Sequence, residues 1–427
     1  MIQKLRLKNF KNFGNVELQL GPFTTIIGTN ASGKSNLRDA FRFLHGISRG
    51  YNLAEIVGEK SGPSGVPEWE GIRGGTRELA THGKKIFALE AEVVKAFFSI
   101  KAANHIERVA RYEIRAFAGD SSRSPRVFAE SLSIAGESVF RGRRHADEGF
   151  NNILGTTKAP RSFFGRRGNL PMMSRVSGEI PRGDPLRLER VLAVRQFKNV
   201  IRSTRFLDLS PSSMRNPSVP GAITLGDRGE NLSSVLQHIC DDPGKKSILL
   251  EWVKELTPMD AVDFEFPADQ IGRILVTLVE ADGGRTSAYS ASDGTLRFLA
   301  MIAAMLGPED ATFYFFEEME NGIHPTRLHL LINLIEQTVR DRKIQIVATS
   351  HSPSMLRYLS EESLEFASLV YRPPGSKLAQ IKRVVDIEGA RDLIKKQDLG
   401  RLLDSGWLED AMFFAGDNGE GAEGVQP

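Results

Sequence analysis

Residues Gly28–Ser35 have the types and spacing of a loop that binds the phosphates of a nucleotide. They read Gly-Thr-Asn-Ala-Ser-Gly-Lys-Ser, with four residues between the two glycines. The glycines let the backbone curl so that successive N–H groups point at phosphate oxygens. Lys34 brings a positive charge to the terminal phosphates, and the Ser35 hydroxyl is a ligand for Mg²⁺. The predicted nucleotide contacts come from Gly28, Thr29, Asn30, Ala31, Ser32, Gly33, Lys34, Ser35 and Asn36.

The residues on either side of this loop predict the elements that must hold it in place. Phe23–Ile27 is a short apolar and β-branched run, as expected of a buried strand. Leu37, Ala40, Phe41 and Leu44 then recur at helical spacing. A strand, a glycine loop and a helix form the setting that phosphate binding requires, because the helix adds its positive N-terminal end.

Two carboxylates, Glu317 and Glu318, follow a second apolar run at 311–316. Carboxylates at the end of a buried strand need a partner, because unpaired charges are rarely buried. In a phosphate-loop protein, Glu317 is expected to hold Mg²⁺ through its water shell. Glu318 is then the catalytic residue that orients or deprotonates the attacking water. The alternative is a strand that ends in solvent with two ordinary surface acids.

Two further positions match such a site. His351 ends the β-branched run 344–349, at the edge where open α/β sheets place their ligands, and is predicted to contact the γ-phosphate and the attacking water. Ser292 and Gly294 open the predicted helix 294–306, which makes an anion site there possible. The simpler interpretations are a structural histidine and an ordinary helix N-cap.

The composition is that of an ordinary globular protein. The chain has 427 residues, of which 41% are hydrophobic and 26% charged, and its net charge is +3. Cys240 is its one cysteine, so no intrachain disulfide is possible, which fits a reducing cytosol. The longest apolar run, 298–306, is too short to span a bilayer. These features predict a cytoplasmic protein with no membrane partner.

The pattern along the chain predicts an α/β fold. Residues 1–20 alternate in strand fashion around a turn, which predicts a hairpin. The same alternation at 86–93, 106–117 and 126–140 predicts three strands of a small antiparallel β-subdomain. Helices and short strands then alternate from 294 to 359, which predicts a mainly parallel sheet flanked by helices. The predicted domains are an N-terminal lobe at 1–140, a basic Gly/Pro-rich insertion with a connecting helix at 141–225, a C-terminal lobe at 226–416 and a disordered acidic tail at 417–427.

Together these motifs resemble the ATP-binding-cassette (ABC) ATPases, and most closely the RecF/SMC-like branch with its overcoming-lysogenization-defect (OLD) type. The segments that carry the resemblance are Leu5–Phe13, Asp227–Leu232, Glu317–Pro325 and Thr349–Pro353. The resemblance implies a P-loop NTPase fold of the ABC-ATPase head type, hydrolysis of ATP and Mg²⁺ as the cofactor ion. Glu318, Lys34 and His351 would be its catalytic residues.

The resemblance also implies a homodimer or a higher oligomer. Two heads would sandwich two ATP molecules, with Ser292 and Gly294 of one head contacting the γ-phosphate held by the other. Asn321 and His324 would lie on the loop that crosses the interface.

The sequence departs from the family pattern in a few places. Met319 stands where the branch usually has proline, and Ala291 where a leucine-like residue is common. The glutamine that connects the two lobes is not placed by the sequence, and Gln196 is a weak candidate.

Three roles remain open for such an ATPase. The first is the sensor subunit of a bacterial anti-phage defence system, which controls a separately encoded effector, with a nuclease favoured. Since 76 residues follow His351 and contain no Asp-x-Asp pair, no Toprim nuclease domain is expected in this chain. Residues 385–414 would dock the effector or complete the core of the head. The second role is a RecF-like DNA repair ATPase that binds DNA through 141–205, which carries a net charge of +10. The third is a structural scaffold that binds ATP without turnover.

Overall fold

The chain folds into two compact units. The computed structural model describes residues 1–62, 65, 67–99, 104–120, 122–145, 149–152, 169–175, 185–257, 259–307, 311–387 and 390. The first unit takes the described residues of Met1–Gly21, Ile27–Thr204 and Glu365–Pro427, and the second those of Pro22–Ile26 and Arg205–Leu364. Each unit is therefore built from separated segments of chain. The predicted domain boundaries at 140, 225 and 416 stay a prediction.

The regular elements of the described residues follow in chain order. The strands are β1 (Ile2–Phe10), β2 (Phe13–Gln19), β3 (Phe23–Ile27), β4 (Lys60–Ser61), β5 (Pro67–Trp69), β6 (Ile86–Ser99), β7 (Asn104–Phe117), β8 (Arg126–Ile134), β9 (Glu137–His145), β10 (Gly149–Asn152), β11 (Thr204–Leu207), β12 (Ala261–Glu265), β13 (Thr277–Glu280), β14 (Arg285–Ser287), β15 (Phe313–Phe316), β16 (Gln345–Ser350), β17 (Ser368–Tyr371) and β18 (Gln380–Arg383). The helices are α1 (Lys34–Ser48), α2 (Leu53–Val57), α3 (Met172–Arg175), α4 (Pro185–Arg202), α5 (Pro211–Met214), α6 (Leu232–Cys240), α7 (Pro243–Leu256), α8 (Asp293–Leu306), α9 (Leu328–Arg342) and α10 (Glu361–Leu364). Short 3₁₀ turns cover Gly75–Arg77, Pro325–Arg327, Pro353–Tyr358 and Val384–Asp386.

An antiparallel sheet dominates the first unit, and it is larger than the small subdomain that the sequence predicts. Its described strands follow the order β10-β9-β8-β7-β6-β1-β2. The N-terminal hairpin joins it because β1 pairs with β6 as well as with β2. The predicted strand at 126–140 is two strands, because Ala135 and Gly136 both have positive φ and form a turn. Alternation of side chains predicts a strand but does not show where it folds back.

Aromatic side chains join the buried face of this sheet to α1. Phe43 of α1 lies 5.4 Å from Phe87 and 6.4 Å from Phe10, measured between ring centroids. All three rings are almost fully buried. Burial of a side chain of this size stabilises the fold by roughly 1.5–3 kcal/mol. The helix that begins at the phosphate loop is thereby fixed on the sheet.

The second unit contains the sheet whose strand ends carry the predicted carboxylates and histidine. Its strands follow the order β11-β15-β16-β3, and β15 and β16 run parallel. Every residue of β15 and of β16 is buried. Strands that are buried along their whole length are expected where helices cover both faces of a parallel pair. Helix α8 contributes ten buried residues to the same core, and this fits the predicted sheet flanked by helices.

Several predicted segments lie outside the described residues. They include most of residues 141–185, the part of the predicted insertion before its helix, nearly all of the proposed docking segment 385–414 and the whole tail 417–427. The helix predicted after the insertion is present as α4. Among the described residues, no helix combines the length and the apolar character needed to cross a membrane.

Candidate functional site

The loop between β3 and α1 is curled, as its sequence predicts. Ala31 and Gly33 have φ angles of 62° and 127°. The N–H of Ser32 donates to the carbonyl oxygen of Thr29 at 3.3 Å. Residues that alternate between right- and left-handed conformations turn successive N–H groups toward one side, which forms a nest for an anion. Helix α1 begins directly after Gly33, so its positive end adds to this nest.

Two glycines of the loop are required by close packing. A Cβ at Gly28 would lie 2.3 Å from the carbonyl oxygen of Val370 and 2.7 Å from Oγ of Ser32. A Cβ at Gly33 would lie 2.9 Å from Nδ2 of Asn12, and its φ already disfavours a side chain. Any larger residue would therefore displace the backbone that is predicted to hold the phosphates.

Lys34 keeps its charge inside the curl of the loop. The residue is only 6% exposed. Its ammonium nitrogen donates to the carbonyl oxygens of Gly28 at 2.5 Å and Thr29 at 3.0 Å. A buried ammonium is tolerated because it is hydrogen-bonded. The arrangement provides a preorganised cation beside backbone N–H groups, which suits the terminal phosphates of a nucleotide.

Three side chains that the sequence did not single out as site residues brace this loop. Asn12 donates to the carbonyl oxygen of Ser32 at 3.2 Å and accepts from the amide of Asn36 at 2.7 Å. Arg372 donates to the carbonyl oxygen of Ala31 at 2.9 Å across 341 positions of sequence. The third side chain is that of Arg73, which donates to the carbonyl oxygen of Ser35. The spacing of residues in the sequence does not predict contacts between residues that are so far apart in the chain.

A buried ion pair supports the first turns of α1. The ammonium of Lys11 lies 2.5 Å from Oδ2 of Asp39, and both side chains are nearly inaccessible to solvent. Lys11 also donates to the carbonyl oxygen of Arg73 at 2.8 Å. The guanidinium of Arg73 lies 3.5 Å from Asp39 and donates to the carbonyl oxygen of Ser35 at 2.8 Å. The network thus ties the predicted Mg²⁺ ligand residue Ser35 to the N-terminal hairpin.

In the second unit, Glu318 is held in an unusual backbone conformation directly after β15. Its φ is 47°, in the left-handed region that a glutamate rarely adopts. Its N–H donates to Oγ1 of Thr349 at 3.1 Å, and the N–H of Met319 donates to the carbonyl oxygen of Thr349 at 3.2 Å. Such conformations persist where the surrounding structure imposes them, and they cluster at functional sites.

The carboxylate of Glu318 contacts two other predicted site residues, His351 and Asn321. Its Oε1 lies 2.9 Å from Nε2 of His351. Its Oε2 accepts a hydrogen bond from the side-chain amide of Asn321. The side chains of Glu318 and His351 are 45% and 30% exposed, so solvent reaches the pair. A carboxylate oriented by an imidazole and an amide is chemically suited to accept a proton from water.

Ser292 and Gly294 lie at the start of α8, where the sequence predicts them. Oγ of Ser292 accepts from the N–H of Thr295 at 3.1 Å, so Ser292 is an N-cap, as the simpler interpretation expected. The residue is also exposed. Gly294 packs against the carbonyl oxygen of Gly322 in the loop that carries Asn321.

The oxygen donors predicted for Mg²⁺ have the chemistry that this ion prefers. Ser35 is partly exposed on the first turn of α1 in the first unit. Glu317 is partly exposed after β15 in the second unit, and its N–H donates to the carbonyl oxygen of Leu207 at 3.0 Å. Each residue by itself therefore fits the role. Gln196 lies within α4, and its role as the connecting glutamine stays a prediction.

Residues 23–357 match the family described as "AAA domain, putative AbiEii toxin, Type IV TA system". The match covers more than half of the chain and includes both the phosphate loop and the carboxylate–histidine cluster. The chain belongs to this AAA-domain family. It is an ATPase with a P-loop fold, and the predicted family resemblance is confirmed.

The chain is also similar to individual proteins and to a solved structure. The chain is 23% identical over 372 residues to a protein of Helicobacter pylori named ATP/GTP phosphatase, covering 84% of this chain and 88% of that protein. It is 48% identical over 72 residues to the chromosome partition protein Smc of Pyrococcus furiosus, covering 14% of this chain and 6% of that protein. The solved SMC head domain from Thermotoga maritima is 12% identical, with a TM-score of 0.40 over 90% of this chain and 98% of that one.

Proposed function

We propose that the protein hydrolyses ATP with Glu318 as the general base. The observation that carries this proposal is the carboxylate of Glu318 held between the ring of His351 and the amide of Asn321. In the proposed step, Glu318 accepts the proton of the attacking water, and His351 orients that carboxylate and contacts the γ-phosphate. Residues Gly28–Asn36 bind the phosphates, with Lys34 stabilising the charge that builds up on them.

We assign Ser35 and Glu317 as the residues that hold Mg²⁺. The ion, when bound, supplies positive charge that neutralises the phosphate oxygens. The hydroxyl of Ser35 would bind it directly, and the carboxylate of Glu317 would bind it through water. Arg73 keeps the backbone of Ser35 in place through its 2.8 Å hydrogen bond.

The working form is proposed to be a homodimer whose heads enclose two ATP molecules. Ser292 is exposed at the start of α8 and Gly294 follows it in the first turn, so both can meet a second copy of the chain. The close contact between Gly294 and Gly322 links that helix start to the loop of Asn321. Engagement of a second head at Ser292 therefore has a short physical path to Glu318.

The proposed biological role is that of a cytoplasmic sensor subunit in bacterial anti-phage defence, which controls a separately encoded effector. The description of the matched family names the AbiEii toxin of a Type IV TA system, and this supports a defence role over DNA repair. The second candidate is a RecF-like repair ATPase. It is favoured by the net charge of +10 over 141–205, which suits a DNA backbone.

Substitution of Glu318 by Gln tests the catalytic and dimer proposals together. The variant keeps the size of the side chain and loses the proton acceptor, so turnover is expected to fall about 10²–10⁴-fold while ATP still binds. Light scattering with ATP is expected to show a trapped dimer. A monomer under ATP contradicts the sandwich, and unchanged turnover contradicts the role of Glu318. Unchanged biological function despite lost turnover supports the scaffold alternative.

A salt titration of duplex-DNA binding separates the two roles. Direct binding whose affinity falls steeply with salt, and less steeply after Arg166→Ala and Arg167→Ala, supports DNA repair. We expect no such binding by the isolated protein. A neighbouring gene for a small nuclease supports the defence role.

A further inference from the structure

The carboxylate of Glu320 connects the two loops that carry Glu318 and His351. Its Oε1 accepts from the backbone N–H of His351 at 2.7 Å and from that of Ser352 at 3.3 Å. Glu320 comes two residues after Glu318 on the loop that follows β15, and His351 is the first residue after β16. One side chain of the first loop therefore fixes the backbone of the second.

These contacts hold His351 at both of its ends. Its backbone N–H is bonded to Glu320, and its ring nitrogen Nε2 lies 2.9 Å from Glu318. The ring direction depends on where the backbone of the loop lies, because the side chain has only two rotatable bonds before the imidazole. A displacement of about 1 Å at a reacting group can cost about 100-fold in rate.

We propose that Glu320 is a positioning residue for ATP hydrolysis, which sets the ring of His351 against Glu318. This inference rests on the proposed roles of Glu318 and His351. Glu320 acts through the backbone of His351 and needs no contact with the nucleotide. The feature that matters is an acceptor oxygen at the place of Oε1, since both bonds converge on that atom.

The surroundings of Glu320 provide a conservative variant. Its Oε2 is buried and, among the described residues, has no hydrogen-bond partner. Glutamine in this place keeps an acceptor oxygen toward the N–H groups of His351 and Ser352. Its amide nitrogen takes the place of Oε2, where it displaces no hydrogen bond. Alanine removes the acceptor. Aspartate keeps the charge but is one methylene too short to reach both N–H groups.

The test measures kcat and KM for ATP in Glu320→Ala, Glu320→Gln, Glu320→Asp, His351→Ala and the double variant Glu320→Ala with His351→Ala. Glu320→Ala is expected to lower kcat at least about 10-fold with KM within about twofold of the original. Glu320→Gln is expected to stay within about threefold of the original kcat, above Glu320→Asp. In the His351→Ala background, Glu320→Ala is expected to have no further effect on kcat, because both changes remove one interaction.

Glu336 provides the matched control for a merely structural carboxylate. It is buried, and its Oε1 accepts from the N–H and the hydroxyl of Ser360 at 2.9 and 2.8 Å. Glu336→Ala is expected to lower the melting temperature and leave kcat unchanged. If Glu320→Ala does not fold, the order of the Gln and Asp variants still decides: a kcat of Asp above that of Gln means that charge matters rather than position.

Two failures can be told apart. If Glu320→Ala and His351→Ala lower kcat additively, the positioning role is wrong and the proposed function stands. If His351→Ala alone leaves kcat unchanged, the proposed role of His351 is wrong, and the positioning role falls with it.

Discussion

The first turn of α8 and the loop after β15 meet backbone to backbone at Gly294 and Gly322. A Cβ at Gly294 would lie 1.9 Å from the carbonyl oxygen of Gly322, and a Cβ at Gly322 would lie 3.1 Å from the nitrogen of Gly294. The residue before Gly322 is Asn321, whose amide donates to Glu318. A change at the helix start therefore reaches the carboxylate of Glu318, the proposed general base, through two adjacent residues, Gly322 and Asn321.

Gly294→Ala is predicted to impair both stability and turnover. The added methyl group must displace the Gly322 carbonyl, and overpacking of this kind costs about 1–3 kcal/mol. The displaced loop withdraws Asn321 from Glu318, so kcat falls. Gly244→Ala is the matched control at the second position of α7, where the new Cβ would meet only the side-chain oxygen of Asp242 at 3.3 Å. Urea unfolding and steady-state ATPase assays check the pair, and equal effects of the two variants contradict the prediction.

Lys34→Ala is predicted to abolish nucleotide binding. The ammonium lies within the phosphate loop, bonded to Gly28 and Thr29, and charge-assisted hydrogen bonds contribute about 1.5–3 kcal/mol each. We expect Lys34 to make hydrogen bonds of this strength to the phosphates of a bound nucleotide, so its loss lowers the affinity at least about 100-fold. Titration with a fluorescent nucleotide measures this, and Lys8→Ala on the exposed face of β1 is the control. If Lys34→Ala binds the nucleotide normally, the nucleotide site is not at the loop Gly28–Ser35.

The buried pair of Lys11 and Asp39 is predicted to matter more for stability than a surface pair on the antiparallel sheet. Lys11→Met removes the nearer cation and leaves Asp39 buried with Arg73 at 3.5 Å, and breaking a buried pair costs up to about 3–5 kcal/mol. Lys4→Met removes one of the two cationic partners of Glu17, since Arg6 also pairs with this carboxylate. The side chains of Lys4 and Glu17 are both close to 30% exposed, so the loss is expected to cost less than about 1 kcal/mol. Denaturant unfolding of the two variants gives the comparison. If the two variants have similar free energies of unfolding, the buried pair contributes no more to stability than the surface pair.

Tyr112 is predicted to make the first unit sensitive to high pH. Burial, together with the neighbouring Glu130 carboxylate, raises the pKa of Tyr112 well above its ordinary value. Because the folded pKa lies above the unfolded value of about 10, folding is favoured by the neutral phenol. That contribution is complete below about pH 10 and is lost as the pH rises beyond it.

Tyr112→Phe isolates this effect. At neutral pH the variant loses the 2.9 Å hydrogen bond to Glu130, worth about 1 kcal/mol. Above pH 10 the free energy of unfolding of the original protein falls, whereas the variant has no phenol to ionise at position 112. The difference in free energy of unfolding between the two proteins is therefore expected to shrink. A difference that stays constant up to pH 11 would mean that Tyr112 ionises equally in both states.

Local patterns predicted much of the architecture correctly. The strand β3, the curl at Gly28–Gly33 and the helix α1 follow from residues that are adjacent in the chain. The carboxylates at the end of β15 and the histidine at the end of β16 could be expected to lie at one sheet edge, since strand ends of a parallel pair meet there. The N-cap at Ser292 was one of two interpretations that the sequence allowed.

The partners of these residues could not be predicted in the same way. Arg372 reaches Ala31 over 341 positions, and Glu320 reaches His351 over 31. The seven described strands of the antiparallel sheet likewise depend on β1 pairing with β6, a contact between distant segments. No spacing rule encodes such contacts, because side chains far apart in sequence meet only after strands and helices have packed.

The chain thus carries its phosphate-binding chemistry in consecutive residues, because a curled backbone and a helix start are products of local conformation. Packing alone decided which side chains contact Glu318, which brace the loop at Ser32 and which hold the backbone of His351. Those contacts depend on the positions of whole elements, and these are set by the burial of apolar surface over the entire unit rather than by any short motif.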